Sequence, residues 1–292
     1  MMRWPLWMMR TLSVLACPLF LLSGCRKSDA VPAYLVIPAV GLTATDAQGG
    51  STSRITDVWV SVNDKDLGVW ELPARVPVIA EGPQRIRVAA GVKKNGAYDD
   101  RVQYPYYTAW QGTAELSPER STTIDAQVQY TGANIWAERF DEVGNLLNTT
   151  TDSDTSLILY NPDEHPGVSR DGTTCAGFVL EPGREHIQLY TDQDFGPAFG
   201  PVYLELDYRT NVNFTVGYTY VQSGTTVFEP WIVLVPTGSG GNTVWNKVYI
   251  DVTTYFNVTS VSNRDFFIQA DLPSGQASAN VYLDNFKLVR AE

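Results

Sequence analysis

The stretch Ile55-Thr-Asp-Val-Trp-Val-Ser-Val62, with Asn63-Asp-Lys-Asp66 and Leu67-Gly-Val-Trp-Glu-Leu72 behind it, decides the class of the fold. Apolar and polar residues alternate on both sides of a turn-forming tetrad. Val, Ile, Thr and Trp at that spacing suit a pleated strand, whose side chains point to opposite faces in turn. The segment is predicted to be a β-hairpin. Working outward, the same period of two recurs to the C-terminus, punctuated by Gly, Pro, Asn and Asp, while a 3.6-residue period is almost absent. The chain reads as all-β.

Upstream of this pattern the sequence changes character. Residues 1–24 carry Arg3 and Arg10, the apolar run Leu12-Ser-Val-Leu-Ala-Cys-Pro-Leu-Phe-Leu-Leu22 and then Ser23-Gly24. A basic start, about a dozen apolar residues and small residues at the end describe a signal peptide, too short for a stable membrane span. All four methionines (Met1, Met2, Met8 and Met9) fall in this segment, so Met8 and Met9 are alternative starts. Leu22-Ser23-Gly24-Cys25 resembles the lipobox of bacterial lipoproteins. The resemblance implies cleavage before Cys25, acylation of that cysteine with palmitate-type chains, and a body tethered to the cell envelope, with the outer membrane as the expected location. Residues 25–33, polar and proline-containing, then read as the lipidated tether.

The full chain of 292 residues has 21 Lys plus Arg against 32 Asp plus Glu, a formal charge of -11. Removing residues 1–24, which hold two basic and no acidic side chains, leaves 19 against 32, or -13. That balance argues against nucleic acid as a partner, because such affinity rests on Lys and Arg neutralising phosphates. Cys17 leaves with the signal segment and Cys25 is assigned to the lipid. Cys175 is then without a disulfide partner and reads as a small buried hydrophobe in Cys175-Ala-Gly-Phe-Val-Leu180.

Residues 34–130 hold about seven short strands, the count of an immunoglobulin-like β-sandwich. The run "Leu-Gly-Val", "Leu-Pro", then Glu81-Gly-Pro-Gln-Arg-Ile-Arg-Val88 also resembles the PEGA-type β-domains of bacterial surface proteins, which implies a scaffold or spacer. The cluster Tyr104-Pro-Tyr-Tyr107 with Trp110 is either an exposed docking patch or a strand edge packed on a neighbour. A boundary falls near Thr131-Gly-Ala-Asn134.

Residues 135–292 carry longer strands with wider loops, over 202–209, 212–221, 228–235, 244–252, 265–271 and 281–289, which favours a jelly-roll β-sandwich. Trp136-Ala-Glu-Arg-Phe-Asp-Glu142, Tyr203-Leu-Glu-Leu-Asp-Tyr-Arg209, Trp245-Asn-Lys-Val-Tyr-Ile-Asp-Val252 and Val281-Tyr-Leu-Asp-Asn-Phe-Lys-Leu288 are similar to the galactose-binding-like sandwich of many carbohydrate-binding modules. That resemblance implies that Asp141, after Phe140, and Asp284, before Asn285, lie side by side and hold a structural Ca2+. The chain departs from the family by having Asp where Glu is usual, and calcium needs six to eight oxygen ligands.

Alternation sorts the faces. Val202, Leu204, Leu206 and Tyr208 oppose Tyr203, Glu205, Asp207 and Arg209. Phe228, Pro230, Ile232 and Leu234 oppose Glu229 and Trp231, and Val248 and Ile250 oppose Trp245, Lys247 and Tyr249. Tyr203, Glu205, Asp207, Trp231, Trp245 and Tyr249 are therefore the candidate ligand-binding residues: flat rings cover the C–H face of a pyranose while carboxylates bond its hydroxyls. The same composition also describes a half-exposed face with cross-strand pairing. His165 and His186 are placed in loops beside acids. No nucleophile elbow, His-Glu-x-x-His, phosphate loop or paired-Cys motif occurs, so no catalytic residue is assigned. The readings are a non-catalytic lipoprotein that binds polysaccharide, a structural lipoprotein docking an envelope protein, and a glycoside hydrolase, which needs only two carboxylates.

Overall fold

The computed structural model describes residues 30–142, 144–239 and 241–292. The lipobox, Cys25, the signal segment and residues 25–29 of the tether lie outside the described residues. Among the described residues no helix is long and apolar enough to cross a membrane.

The first block contains β1 (Ala33–Ile37), β2 (Val40–Thr43), β3 (Asp57–Val62), β4 (Lys65–Glu71), β5 (Ala74–Val78) and β6 (Gly82–Lys93). It continues with β7 (Arg101–Gln103), β8 (Ala109–Leu116), β9 (Ser121–Thr123) and β10 (Ala126–Gln129). One layer runs β4-β3-β6, with β7 and β8 both paired to β6; the other is β5-β1-β9 with the pair β2-β10. Their facing side chains, among them Leu35, Val58, Val76, Val88 and Leu116, are fully buried. The β3–β4 hairpin is tighter than its four-residue turn predicted, since Val62 already pairs with Lys65. Asn63 and Asp64 carry the turn alone at φ 48° and 62°, the doubly left-handed conformation that matches strand twist and that Asn and Asp tolerate.

The second block contains β11 (Ala133–Glu138), β12 (Leu147–Thr149), β13 (Ile158–Tyr160), β14 (Cys175–Leu180), β15 (His186–Thr191) and β16 (Val202–Thr210). After these come β17 (Phe214–Gln222), β18 (Thr225–Leu234), β19 (Gly238–Ser239), β20 (Asn242–Thr243), β21 (Asn246–Asp251), the one-turn helix α1 (Thr253–Phe256), β22 (Ser262–Asp271) and β23 (Ala279–Ala291). One sheet runs β13-β14-β23-β16-β21 with β11 beside β23, and the other β12-β15-β22-β17-β18. The two enclose Phe178, Leu189, Leu204, Phe214, Ile250, Phe266 and Phe286, each worth about 1.5–3 kcal/mol when removed from water. The chain is thus all-β, a smaller sandwich followed by a larger jelly-roll sandwich.

Alternation places β16 as read, with Val202, Leu204, Leu206 and Tyr208 in the core. It fails on β18. The register with β17 slips between Val216 and Gly217, where Ile232 and then Pro230 are the partners. Trp231 is the extra residue of a bulge, so the face reverses there. Ile232 and Leu234 point inward while Phe228, predicted on the same face, points out and is 50% exposed.

The two sandwiches share a surface. Tyr104 of the first meets Tyr203 and Tyr249 of the second at ring separations of 5.1 Å each. Asn95 N–H donates to the Tyr249 carbonyl at 2.8 Å, and Lys287 Nζ to the Gly50 carbonyl at 2.7 Å. The cluster Tyr104, Tyr106 and Tyr107 is buried in this contact, so of its two readings the strand edge packed on a neighbour holds and the exposed docking patch does not form. Its rings are consumed within the chain, and only Trp110 remains half-buried.

Candidate functional site

Both outer faces of the jelly roll mix rings with charges, and the structure treats them oppositely. On the β16 sheet, Tyr203, Glu205, Asp207 and Tyr249 are at most 6% exposed. The open ligand face predicted for these four is closed by the first sandwich. Tyr104 and Tyr130 hydroxyls donate to Glu205 Oε1 and Oε2 at 2.7 and 2.8 Å, and Lys247 Nζ lies 3.1 Å from Glu205 Oε2 and 3.5 Å from Asp207 Oδ2. Burial would push the Glu205 carboxyl up, but Lys247, Lys287 and the two hydroxyls outweigh it and hold it below its ordinary range. Tyr104 is pushed well up by burial and then by the Glu205 charge. This is a buried ionic core with no room for a sugar, in which both Glu205 oxygens are bonded while Asp207 Oδ1 has no hydrogen-bond partner. Of the other two candidates, Trp245 lines a crevice beside this contact and Trp231 sits on the exposed edge strand, its Nε1 bonded to the Asp251 carbonyl at 3.2 Å. The six predicted residues are therefore not one site.

The outer face of the β12-β15-β22-β17-β18 sheet is open. Its cross-strand rows follow from register: His186 opposite Asp271, Gln188 opposite Gln269 and Tyr190 opposite Phe267 on β15–β22, then Phe267 opposite Gly217 and Asp265 opposite Thr219 on β22–β17. Thr219 in turn faces Phe228 on β18. Gly217 is required here, since a Cβ would come within 2.4 Å of the Phe267 ring. Phe267 therefore lies flat on the sheet, with Phe228 edge-on to it at 5.7 Å. Beside these rings is a groove of about 290 Å³ lined by Thr150, Tyr190, Asp192, Asp194, Thr219, Thr226, Phe228, Asn263 and Asp265, among others.

Asp265 shapes the groove without being free to react. It is buried, and its Oδ1 accepts from Thr191 Oγ1 at 2.7 Å and Gln193 N at 2.8 Å, while Oδ2 accepts from Asp194 N at 3.3 Å. Burial raises its pKa, partly offset by those donors. The effect is to fix the segment 192–194, so that Asp192 and Asp194 stay exposed at the rim. The groove is lined by carboxylates, hydroxyls, one amide and two rings and by no cation, a set that accepts hydrogen bonds from hydroxyl groups and repels anions. Along the same face Gln188 Nε2 donates to Gln269 Oε1 at 3.0 Å and His186 Nδ1 lies 2.6 Å from Asp271 Oδ1. His186 is thus on a strand and bonded to an acid, not in a loop; His165 packs its ring 5.1 Å from that of Tyr160. Sequence reading missed Tyr190, Phe228 and Phe267 as a group. The glycine opposite Phe267 and the Pro230-Trp231 bulge are signals that only pairing partners reveal.

The residues expected to hold calcium fit it poorly. Asp141 is committed to Arg139 Nη2 at 2.9 Å. Asp284 is 1% exposed on β23 with Oδ2 unbonded, and burial, then Asp171 and Asp207, push its carboxyl up to about 8. Among the described residues no group of three or more Asp, Glu, His or Cys side chains is placed to hold a metal ion.

No protein-family model matches the chain, and no curated protein matches it. Among solved structures it is similar to the C-terminal family 22 carbohydrate-binding module of Clostridium thermocellum Xyn10B, at 13% identity and a TM-score of 0.37, over 53% of this chain and 93% of that one. It is similar to the CBM22-2 xylan-binding domain of Paenibacillus barcinonensis Xyn10C, at 8% identity and a TM-score of 0.37, over 54% and 99%. It is also similar to a non-crystalline-cellulose-specific module, CBM28, at 14% identity and a TM-score of 0.35, over 50% and 88%.

Proposed function

We propose that the chain is a non-catalytic lipoprotein of the cell envelope, held at the outer membrane by lipid on Cys25, whose jelly roll binds a neutral polysaccharide on the open β15–β22–β17–β18 face. The observation that carries the binding reading is the groove itself: Tyr190 and Phe228 present rings beside Asp192, Asp194, Asn263 and four threonines. Rings cover the apolar face of a pyranose, and fixed acceptors bond its hydroxyls. The non-catalytic reading is supported by Asp265, the shielded acid of the groove, both of whose oxygens already accept hydrogen bonds. The exposed carboxylates of the groove are Asp192 and Asp194, and release of reducing ends from a retained polymer, the result of hydrolysis by such a pair, would overturn the non-catalytic reading.

Affinity electrophoresis of the intact chain through gels containing xylan, galactan, soluble cellulose derivatives or mannan tests the reading. Retardation on at least one neutral polymer, unchanged by EDTA, is expected; no retardation on any refutes it. The anchor is tested separately by labelling with an alkynyl fatty acid, which Cys25→Ser should abolish.

A further inference from the structure

A second, differently charged depression lies where the sandwiches meet. It has a volume of about 350 Å³ and is lined by Ser53 and Arg54 of the first sandwich and by Arg170, Thr237, Val244, Trp245, Asn246 and Lys247 of the second. That size is at the lower end of the roughly 300–1,000 Å³ usual for ligand sites, which favour domain interfaces.

Its electrostatics reverse those of the open groove. Lys247 at the floor is fully buried and already shared between Glu205 and Asp207, 3.1 and 3.5 Å away. Asp207 is also met by the Thr52 hydroxyl and by Arg170 Nε at 3.5 Å. Arg170 Nε is nonetheless buried without a hydrogen-bond partner. Arg54 donates to the Asn246 side-chain carbonyl and its backbone N–H to the Tyr249 hydroxyl, and it has no acidic partner among the described residues. Arg54, Arg170 and Lys247 are the charged residues that line the crevice, and no carboxylate is among its lining residues, in a chain of net charge -11. The nearby Asp171 turns to Thr173, whose Oγ1 donates to its Oδ1 at 2.6 Å. The wall is an indole held in place: Trp245 Nε1 donates to the Val168 carbonyl at 3.0 Å, and Arg209 lies 5.5 Å over the ring.

Guanidinium groups recognise planar oxyanions through paired donors, and a fixed indole offers a flat surface for a sugar ring. We propose that this crevice binds an acidic saccharide, with the carboxylate of a uronate unit taken by Arg54 and Arg170 and its ring set against Trp245. The site is separate from the neutral-polysaccharide groove and does not rest on that reading. Repulsion by the acidic body is screened beyond about 8–10 Å at physiological ionic strength, so the local charge governs the last approach.

Isothermal titration of the intact chain with trigalacturonate, galactotriose and sodium sulfate tests it. Trigalacturonate is expected to bind, weakening with added salt, while galactotriose gives at least tenfold weaker binding at this site. Arg54→Gln, a change on an exposed side chain, is expected to weaken trigalacturonate at least tenfold with unaltered melting temperature; Trp245→Leu should weaken it several-fold. Competition by sulfate at equal strength would assign the site to a bare oxyanion and overturn the saccharide part. Absence of trigalacturonate binding, or binding unaffected by Arg54→Gln, would overturn the proposal. Retention on neutral polymers, measured on the same samples, reports the other groove independently.

Discussion

The two outer faces of the jelly roll carry nearly the same vocabulary of Tyr, Phe, Trp, Asp, Glu and Gln, yet one is an interior and the other a surface. Glu205 on the β16 face has no exposure at all, whereas Phe228 on the β22 face is half exposed. A strand's alternation decides which residues leave the core, and nothing in it decides what lies on top of them. The first sandwich does so here, through Tyr104, Tyr107 and Tyr130, and turns the face that looked like a binding surface into a buried ion pair with aromatic walls.

The largest effect should come from breaking that burial. Glu205→Leu leaves Lys247 buried without its closest carboxylate partner and is expected to cost about 3–5 kcal/mol in denaturant unfolding, as removal of one member of a buried pair does. Lys247→Met alone should cost a similar amount, and the double variant much less than the sum. If each single change costs under about 1 kcal/mol, the face is not sealed.

The next effect is in pH. Folded Asp284 keeps its proton to about 8 against an ordinary value of 3.8. Between those values the folded state binds more protons, so stability is fully present below about pH 4 and declines as pH rises towards 8. Lys287 is lowered by burial, then by Lys247, from 10.5 to about 8. It acts in the opposite sense, its cost being relieved between pH 8 and 10.5. Together these two groups place a minimum in stability near pH 8. Asp284→Asn should remove the falling limb, leaving the variant a few kcal/mol more stable than the parent at pH 8. A parent profile equal to that of Asp284→Asn across pH 5–8 would contradict a neutral, buried Asp284.

Legibility in the sequence followed the same division. The all-β class, the β3–β4 hairpin and the inward residues of β16 came from local alternation, which the backbone obeys one strand at a time. Two kinds of information were missing. The bulge at Trp231 reverses the facing of Phe228 and is defined only by the pairing of β17 with β18. The cover over Tyr203 and Tyr249 comes from tyrosines 99 to 145 positions away, with polar residues of both blocks paired across the contact. Asp141 and Asp284 read as a metal pair because their carboxylates are of the correct type, while Arg139 pairs with one and burial raises the pKa of the other to about 8.

A smaller effect sharpens the contrast from the open side. Asp265→Asn should loosen the segment 192–194 and weaken polysaccharide retention several-fold with a stability change of about 1 kcal/mol, read by gel retardation and thermal melting on one preparation. Smallest of all, Trp231→Ala on the bulged edge should alter retention by less than twofold, because the ring is turned towards Tyr218 and the Asp251 carbonyl and away from the groove.

The claim that the glycan surface is the β15–β22–β17–β18 face is tested most directly by the dissociation constant of the intact Phe228→Ala chain for whichever neutral polysaccharide retards the parent. The expected result is at least a tenfold loss, about 1.4 kcal/mol, with a melting temperature within a few degrees of the parent. Retention equal to the parent's in a folded Phe228→Ala chain would contradict it.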